Sequence, residues 1–162
     1  MIGRIRIFAL VGALSAACAS SSSAQMNLDE LAYRGGLYVD PASGQPYNGE
    51  VVSRWNAQVI RERGTLRHGH WNGLHEWYHR NGQLSGRETY RDGVLDGEAV
   101  AYYKTGQLSA RESYRSGRLD GPYESYWVRG ILAERGAWSS GEPCGEWVSF
   151  GRPVAYPDCP AQ

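Results

Sequence analysis

Glycine recurs in this chain at a fixed interval of 24 residues. One series comprises Gly49, Gly73, Gly97, Gly121 and Gly145, and a second comprises Gly69, Gly93, Gly117 and Gly141. A fixed period of this length is typical of repeat proteins, in which each unit is one supersecondary element that cannot bury its apolar face alone. Such an array presents a long surface of similar positions. It favours binding over catalysis, because an active site needs several different groups converging at one point.

Each 24-residue unit is predicted to contain two strands joined by a turn. The first strand follows a first-series glycine, as in Glu98–Tyr103, and the second follows the turn, as in Gln107–Arg115. Asn81-Gly82 predicts a type I′ hairpin turn, which needs positive φ at both central residues. The 11 tyrosines and 6 tryptophans suit half-buried sheet faces. The sequence therefore predicts an all-β fold, a solenoid-like antiparallel sheet of successive β-hairpins.

Strand alternation predicts which side chains share a face of this sheet. The predicted apolar face combines four columns: Val52, Val100 and Val148; Tyr78, Tyr102, Tyr126 and Phe150; Ile60, Leu84, Leu108 and Leu132; and Leu66, Tyr90, Tyr114 and Trp138. The opposite face is predicted to be polar on the second strand and aromatic on the first.

Two arginine columns occupy the predicted polar face: Arg63, Arg87, Arg111 and Arg135, and Arg67, Arg91 and Arg115. Pairing with carboxylates such as Glu88, Glu112, Glu98 and Glu124 would give a solvated, charge-balanced face. The equal numbers of basic and acidic residues, 17 each, favour this interpretation and exclude a global field that would attract nucleic acid. Alternatively, Arg87, Arg91, Arg111 and Arg115 form a strip that binds phosphate or carboxylate groups.

An aromatic-rich column is predicted on the same face of the first strand. It comprises Trp55, His79, Tyr103 and Trp127, beside a second column of Val51, His75, Tyr123 and Trp147. Core packing explains such a column, and so does a platform for sugars or peptides. Because both faces carry aromatic side chains, the less buried face is the candidate for contact with a partner.

The N-terminus has the features of a secretory leader. Arginines near the start precede an apolar run from Ile7 to Ala17, which is too short to span a bilayer as a helix. Leu14-Ser15-Ala16-Ala17-Cys18 resembles a bacterial lipobox, whose cysteine is lipidated; ordinary cleavage before Gln25 is the alternative. We predict an exported bacterial protein, periplasmic or an outer-membrane lipoprotein, attached to the membrane through a lipid anchor on Cys18.

The cysteine count agrees with export. Assigning Cys18 to a lipid leaves Cys144 and Cys159, which an oxidising compartment would join; two free thiols are the alternative. No cysteine spacing typical of a metal site occurs. His75 and His79 would lie about 13 Å apart on a strand, too far to share one ion. We predict no metal and no cofactor, and the chain has no recognisable catalytic motif.

Several segments resemble the MORN repeat, in the variant found in bacterial proteins labelled YwqK-type antitoxins. The resemblance rests on Tyr78-x-x-Asn81-Gly82-Gln83-Leu84, on Tyr90-x-x-Gly93-x-Leu95-Asp96-Gly97-Glu98, and on their echoes 24 residues later. It implies a ribbon of hairpins that binds proteins or membrane lipids. The antitoxin role transfers poorly, because antitoxins act in the cytoplasm and this chain has an export signal.

Four segments follow from these patterns. Residues 1–24 are predicted to be the leader and polar tether, 25–47 a lead-in, 48–150 the repeats and 151–162 a C-terminal cap. The predicted function is a non-enzymatic scaffold that binds another envelope protein. A module for cell-wall glycan or lipid headgroups is the first alternative, and an antitoxin-type binding protein is the second. No nucleic-acid partner is expected.

Overall fold

The structure is a computed structural model that describes residues 25–160; the predicted leader, including Cys18, and residues 161–162 lie outside the described residues. It confirms the predicted all-β architecture. The strands are β1 Met26–Asn27, β2 Ala32–Arg34, β3 Leu37–Val39, β4 Gly49–Arg54, β5 Ile60–Arg67, β6 His70–Tyr78, β7 Leu84–Arg91, β8 Val94–Tyr102, β9 Leu108–Arg115, β10 Arg118–Leu119, β11 Gly121–Tyr126, β12 Leu132–Ser139, β13 Glu142–Ser149 and β14 Arg152–Ala155.

Twelve strands form one sheet in which the chain mostly moves to the adjacent position at each turn. The order is β1-β4-β5-β6-β7-β8-β9-β11-β12-β13-β14, and the short β10 also pairs with β9. All pairs in this sheet are antiparallel except β1 with β4. Strands β2 and β3 form a separate hairpin, and a 3-10 turn spans Leu28–Glu30. In the described part of the chain, no helix is long and apolar enough to cross a membrane.

The type I′ turns lie at the second glycine series and not at Asn81-Gly82. Asp92 and Gly93 both have positive φ, 47° and 81°, as a type I′ turn requires. At the predicted position only Gly82 is left-handed, and the His79 N–H donates to the Gln83 carbonyl at 2.8 Å. That loop is a type I turn closed by a left-handed glycine, so the prediction of its turn type was wrong.

Three glycines of the first series, Gly73, Gly97 and Gly145, lie at β-bulges within strands. Between β7 and β8 the register passes from Glu88↔Ala99 to Tyr90↔Leu95, so that one residue of β7 faces three residues of β8. Gly97 lies in this bulge with φ 137°, and a Cβ there would lie 2.9 Å from the Cβ of Thr89. The segment between the two glycine series is therefore the beginning of the next strand, not a separate return connection.

The predicted face assignment was wrong in one respect. Val100 lies directly opposite Arg87 and Arg111, so the valine and arginine columns share a face, which we name face B. Tyr90 and Tyr114 lie opposite Gly73 and Gly97 on the other side, face A. Val100 is nevertheless 4% exposed; it lies between two arginines, a residue type whose aliphatic stem can cover apolar surface.

Different additional segments lie at the two ends of the sheet. At the N-terminal end the lead-in packs on the first strands, and its core consists of Leu28, Val51 and Leu66. At the C-terminal end a disulfide joins Cys144 to Cys159, with Cα atoms 4.9 Å apart. The tail backbone pairs with Gly145 on both sides, through Pro157 at 2.7 Å and Tyr156 at 3.0 Å.

Candidate functional site

A groove of about 780 Å³ lies on face A. We name it the central groove. Its lining is drawn chiefly from β6 to β9 and the turns beside them, and it includes Trp55, Trp77, Gly86, Glu88, Ala99, Ala101, Ala110 and Glu112. It therefore occupies the middle of the 12-stranded sheet.

Small residues on adjacent strands form the floor of this groove. The register places Gly86 opposite Ala101, and Ala101 opposite Ala110. Ala101 is exposed although it lies in the centre of the sheet. On the preceding strand the equivalent position is Trp77, directly opposite Gly86. The large Trp77 side chain thus lies beside a row of glycine and alanine residues, and this difference in side-chain size creates the groove.

Two carboxylates flank the floor. Glu88 and Glu112 both lie opposite Ala99, one on each neighbouring strand. The Tyr90 hydroxyl donates to Glu88 at 2.6 Å, and the Tyr114 hydroxyl donates to Glu112 at the same distance. Burial, followed by these hydrogen bonds to carboxylates, raises the pKa of both tyrosines above the ordinary value of 10.0. The hydroxyls therefore stay protonated and hold the carboxylates in place.

An aromatic group around His75 forms the N-terminal side of the site. The His75 ring stacks on Trp71 and lies against Trp77, with centroid distances of 3.7 and 4.2 Å. Its Nε2 is 3.2 Å from the Glu62 carboxylate. The hydrogen bond to His75 is the largest influence on Glu62 and lowers the pKa of that carboxyl, against the opposing effect of burial. A second aromatic group, Tyr123, Trp138 and Trp147, lies beyond the groove.

The predicted aromatic column connects successive hairpins. The Trp55 Nε1 donates to the Tyr78 carbonyl at 2.9 Å, and the Tyr103 hydroxyl donates to the Tyr126 carbonyl at 2.7 Å. His79 Nε2 lies 3.0 Å from the Tyr102 carbonyl. Trp127, the last member, instead packs near Phe150. These side chains stabilise the array, and Trp55 and His79 also line the central groove.

The predicted arginine strip lies on face B, away from that column. Arg87 and Arg111 both contact Glu98, at 3.0 and 3.4 Å. Two further pairs join Arg91 to Asp96 and Arg115 to Asp120. Ion pairing thus balances these arginines, although Glu88 and Glu112, which were expected among their partners, lie on face A. The structure does not bring the arginines and the aromatic column together on one surface.

The groove offers no arrangement typical of a metal site. Within residues 25–160 no group of three or more His, Cys, Asp or Glu side chains lies close enough to hold an ion. Glu88 and Glu112 are two strands apart, about 9.6 Å between Cα atoms at the usual strand spacing. What this arrangement can do is bind: it presents an apolar floor, an aromatic side and two fixed negative charges.

Sequence reasoning missed the small-residue floor. The signal was present, because alanine occupies positions 99 and 101 where the preceding unit has His75 and Trp77. The assignment of valines and tyrosines to one face concealed it, since it separated Glu88 from Ala99.

Comparison with known proteins agrees with the architecture. No curated protein and no solved structure matches the chain significantly. The family described as the MORN repeat variant matches residues 71–92 and 95–116. MORN repeats are generally modules that bind proteins or membranes and not enzymes. Two consecutive hairpins of this chain, β6–β7 and β8–β9, therefore match the MORN repeat variant.

Proposed function

We propose that this chain is a non-enzymatic scaffold of a bacterial cell envelope, which holds another envelope protein in the central groove. The exposure of Ala101 in the middle of the sheet is the observation that carries this proposal. An open, partly apolar groove beside aromatic side chains is typical of a recognition site.

The envelope location rests on two features. The N-terminal residues 1–24 have the pattern of a leader with a lipidation site at Cys18. The disulfide between Cys144 and Cys159 is typical of proteins in oxidising compartments. Metabolic labelling with an alkyne fatty acid tests the anchor: the wild-type chain should be labelled and the Cys18→Ser variant should not. An unlabelled wild-type chain would exclude the anchor.

Site-specific photo-crosslinking tests the binding surface. A photoreactive amino acid at position 101 should give a defined crosslinked species in cells, because this position lies on the floor of the groove. Position 65 is the matched control, since Thr65 is exposed on face B of the same sheet. The same adduct from both positions, or none from position 101, would contradict the proposal. Thermal unfolding of both variants checks that each one is folded.

Lipid headgroups are a second candidate ligand, at a different surface. We name the turns at residues 55–59, 79–83, 103–107, 127–131 and 150–151 the turn edge; they contain no Asp or Glu. Arg80, Lys104 and Arg129 lie in them, and so do the exposed side chains of Trp127, Val128, Ile131 and Phe150. Apolar side chains beside cations suit the surface of an anionic bilayer.

Vesicle flotation tests this second candidate. The protein without its leader should float with vesicles of phosphatidylcholine containing phosphatidylglycerol, and less with phosphatidylcholine alone. Ile131→Asp should reduce flotation. Val94→Asp, at an exposed valine outside the turn edge, should not. Equal flotation of the two variants would exclude the turn edge as the lipid-binding surface.

A further inference from the structure

Three carboxylates, Glu62, Glu88 and Glu112, and three cations line the central groove, whereas most arginines of the sheet lie on the opposite face. The columns containing Arg63, Arg87 and Arg111 lie on face B, where they pair with Glu76 and Glu98. Among residues 25–160, neither Glu88 nor Glu112 has an ion-pair partner. Of the cations that line the groove, Arg61 on strand β5 pairs with Asp29 and Glu62, Arg80 lies over the Trp55 ring, and Lys104 lies in the turn after β8.

The two free carboxylates have a defined separation. Glu88, Ala99 and Glu112 are directly opposite one another on three successive strands. Their Cα atoms are therefore about 9.6 Å apart, at 4.8 Å per strand. The tyrosine hydroxyls of Tyr90 and Tyr114 fix both carboxylates at 2.6 Å, so this spacing is pre-organised.

We infer that the occupant of the central groove is an extended, polyproline-II-type segment of a partner protein, with basic side chains three positions apart that pair with Glu88 and Glu112. The inference rests on the proposed protein-binding function and names the chemistry of the partner. The intervening residues of the segment would lie over Ala99 and Ala101, and Trp77 would contact its apolar or cationic side chains.

The separation of Glu88 and Glu112 indicates the backbone conformation of that segment. In a polyproline II helix, residues i and i+3 point the same way and are about 9.3 Å apart. In a β-strand, same-side residues i and i+2 are about 6.6 Å apart, which is too short for this pair of carboxylates. Backbone hydrogen bonding agrees, because β7, β8 and β9 already pair with both of their neighbours. A segment lying on the face must leave its own backbone solvated, as polyproline II does.

Fluorescence anisotropy with synthetic peptides tests the inference on the full chain. The first probe is fluorescein-Pro-Pro-Lys-Pro-Pro-Lys-Pro-Pro. A second peptide has its lysines two positions apart, and a third carries glutamate in place of lysine. The first peptide should bind at least ten-fold more tightly than the other two at low salt. Its affinity should fall as sodium chloride is raised, because the pairs are electrostatic.

A pair of double variants locates the binding. E88Q/E112Q should lower the affinity for the first peptide at least ten-fold. Glutamine can still accept the tyrosine hydrogen bonds, so the fold should be kept. E76Q/E124Q is the matched control on face B, where Tyr78 and Tyr126 donate to these glutamates at 3.0 and 2.9 Å. The control should leave the affinity unchanged.

Three outcomes would overturn the inference: no binding of the lysine peptides, equal binding of the two lysine spacings, or equal weakening by both double variants. These results are separable from the proposed function. If crosslinking at position 101 still yields a specific partner while the peptides fail, the groove binds a protein of different chemistry. If crosslinking also fails, the proposed function fails with it.

Discussion

The imidazole of His75 lies flat against the indole of Trp71, with ring centroids 3.7 Å apart and planes inclined by 16°. His75 is 4% exposed, and its Nε2 is within 3.2 Å of the Glu62 carboxylate. Among the described residues its Nδ1 has no hydrogen-bond partner. This buried polar pair orders the aromatic side of the central groove, and it links the stability of the sheet to pH.

Acidification should destabilise the protein through Glu62. The pKa of this carboxyl is lowered in the folded state, first by the hydrogen bond to His75. A lowered pKa means that the stabilisation is present above the ordinary value near 4.5 and is lost as the pH falls through the folded value. Glu62→Gln should lower the melting temperature at pH 7 and reduce its dependence on pH below 5. An identical pH profile for the variant and wild type would contradict this assignment.

Alkali should destabilise the protein through Tyr90 and Tyr114. The pKa values of Tyr90 and Tyr114 are raised by burial and by their hydrogen bonds to glutamates. A raised pKa gives stabilisation that is complete below the ordinary value of 10.0 and is lost as the pH rises above it. Urea unfolding between pH 9 and 12 should show a smaller loss of unfolding free energy with rising pH for Y90F/Y114F than for wild type. Tyr33→Phe, at an exposed ring, should behave like wild type.

Gly136→Ala should be strongly destabilising, because the Trp147 indole occupies the space that a Cβ would need. Overpacking of this kind costs about 1–3 kcal/mol. Gly86→Ala is the control, since the nearest atoms to its added Cβ are 3.2 and 3.6 Å away. Chemical denaturation should give a clearly larger loss of unfolding free energy for Gly136→Ala. Equal losses would show that Trp147 can move aside.

Ser116→Asn should stabilise the β9–β10 turn. Ser116 has φ 49°, a left-handed conformation that asparagine tolerates better than serine. The gain in unfolding free energy should be a part of the roughly 1–2 kcal/mol by which the left-handed conformation is disfavoured for ordinary residues. Ser109→Asn, on strand β9, should give no such gain. The melting temperatures of the two variants provide the comparison, and a lower value for Ser116→Asn would count against the turn assignment.

Reduction of the disulfide should loosen the C-terminal end. Cys144 and Cys159 are 15 residues apart, and closing a loop of this length is worth about 3 kcal/mol in the chain-entropy model. Amide exchange of residues 152–160 should accelerate in C144S/C159S, while the middle strands β6 to β9 remain protected. Uniform acceleration across the sheet would instead indicate that the disulfide stabilises the whole array.

Local sequence patterns predicted most of the strands but not the types of turns and bulges that connect and pair them. The position of the β6–β7 hairpin followed from Tyr78 to Leu84, whereas its turn type did not, because the loop closes with a left-handed Gly82 alone. The bulge at Gly97 was also missed: a glycine at a fixed interval indicates a backbone requirement without saying whether a turn or a bulge needs it.

The central groove was the part of the site that sequence reasoning could not locate. Alternation within each strand is local, but the pairing of one strand with the next depends on the register set by the loop. A shift of one residue moves every side chain to the other face. This is why Val100 was expected on the face of Tyr90 and instead lies opposite Arg87 and Arg111.

The amino-acid sequence by itself determined the 24-residue unit, the all-β class and the order of hairpins, since these depend on glycine positions and on contacts close in the chain. Only the tertiary structure decided which columns share a face, because that depends on cross-strand register at every bulge and turn. The register places Gly86, Ala101 and Ala110 side by side, and this row of small residues leaves a groove in the middle of the sheet.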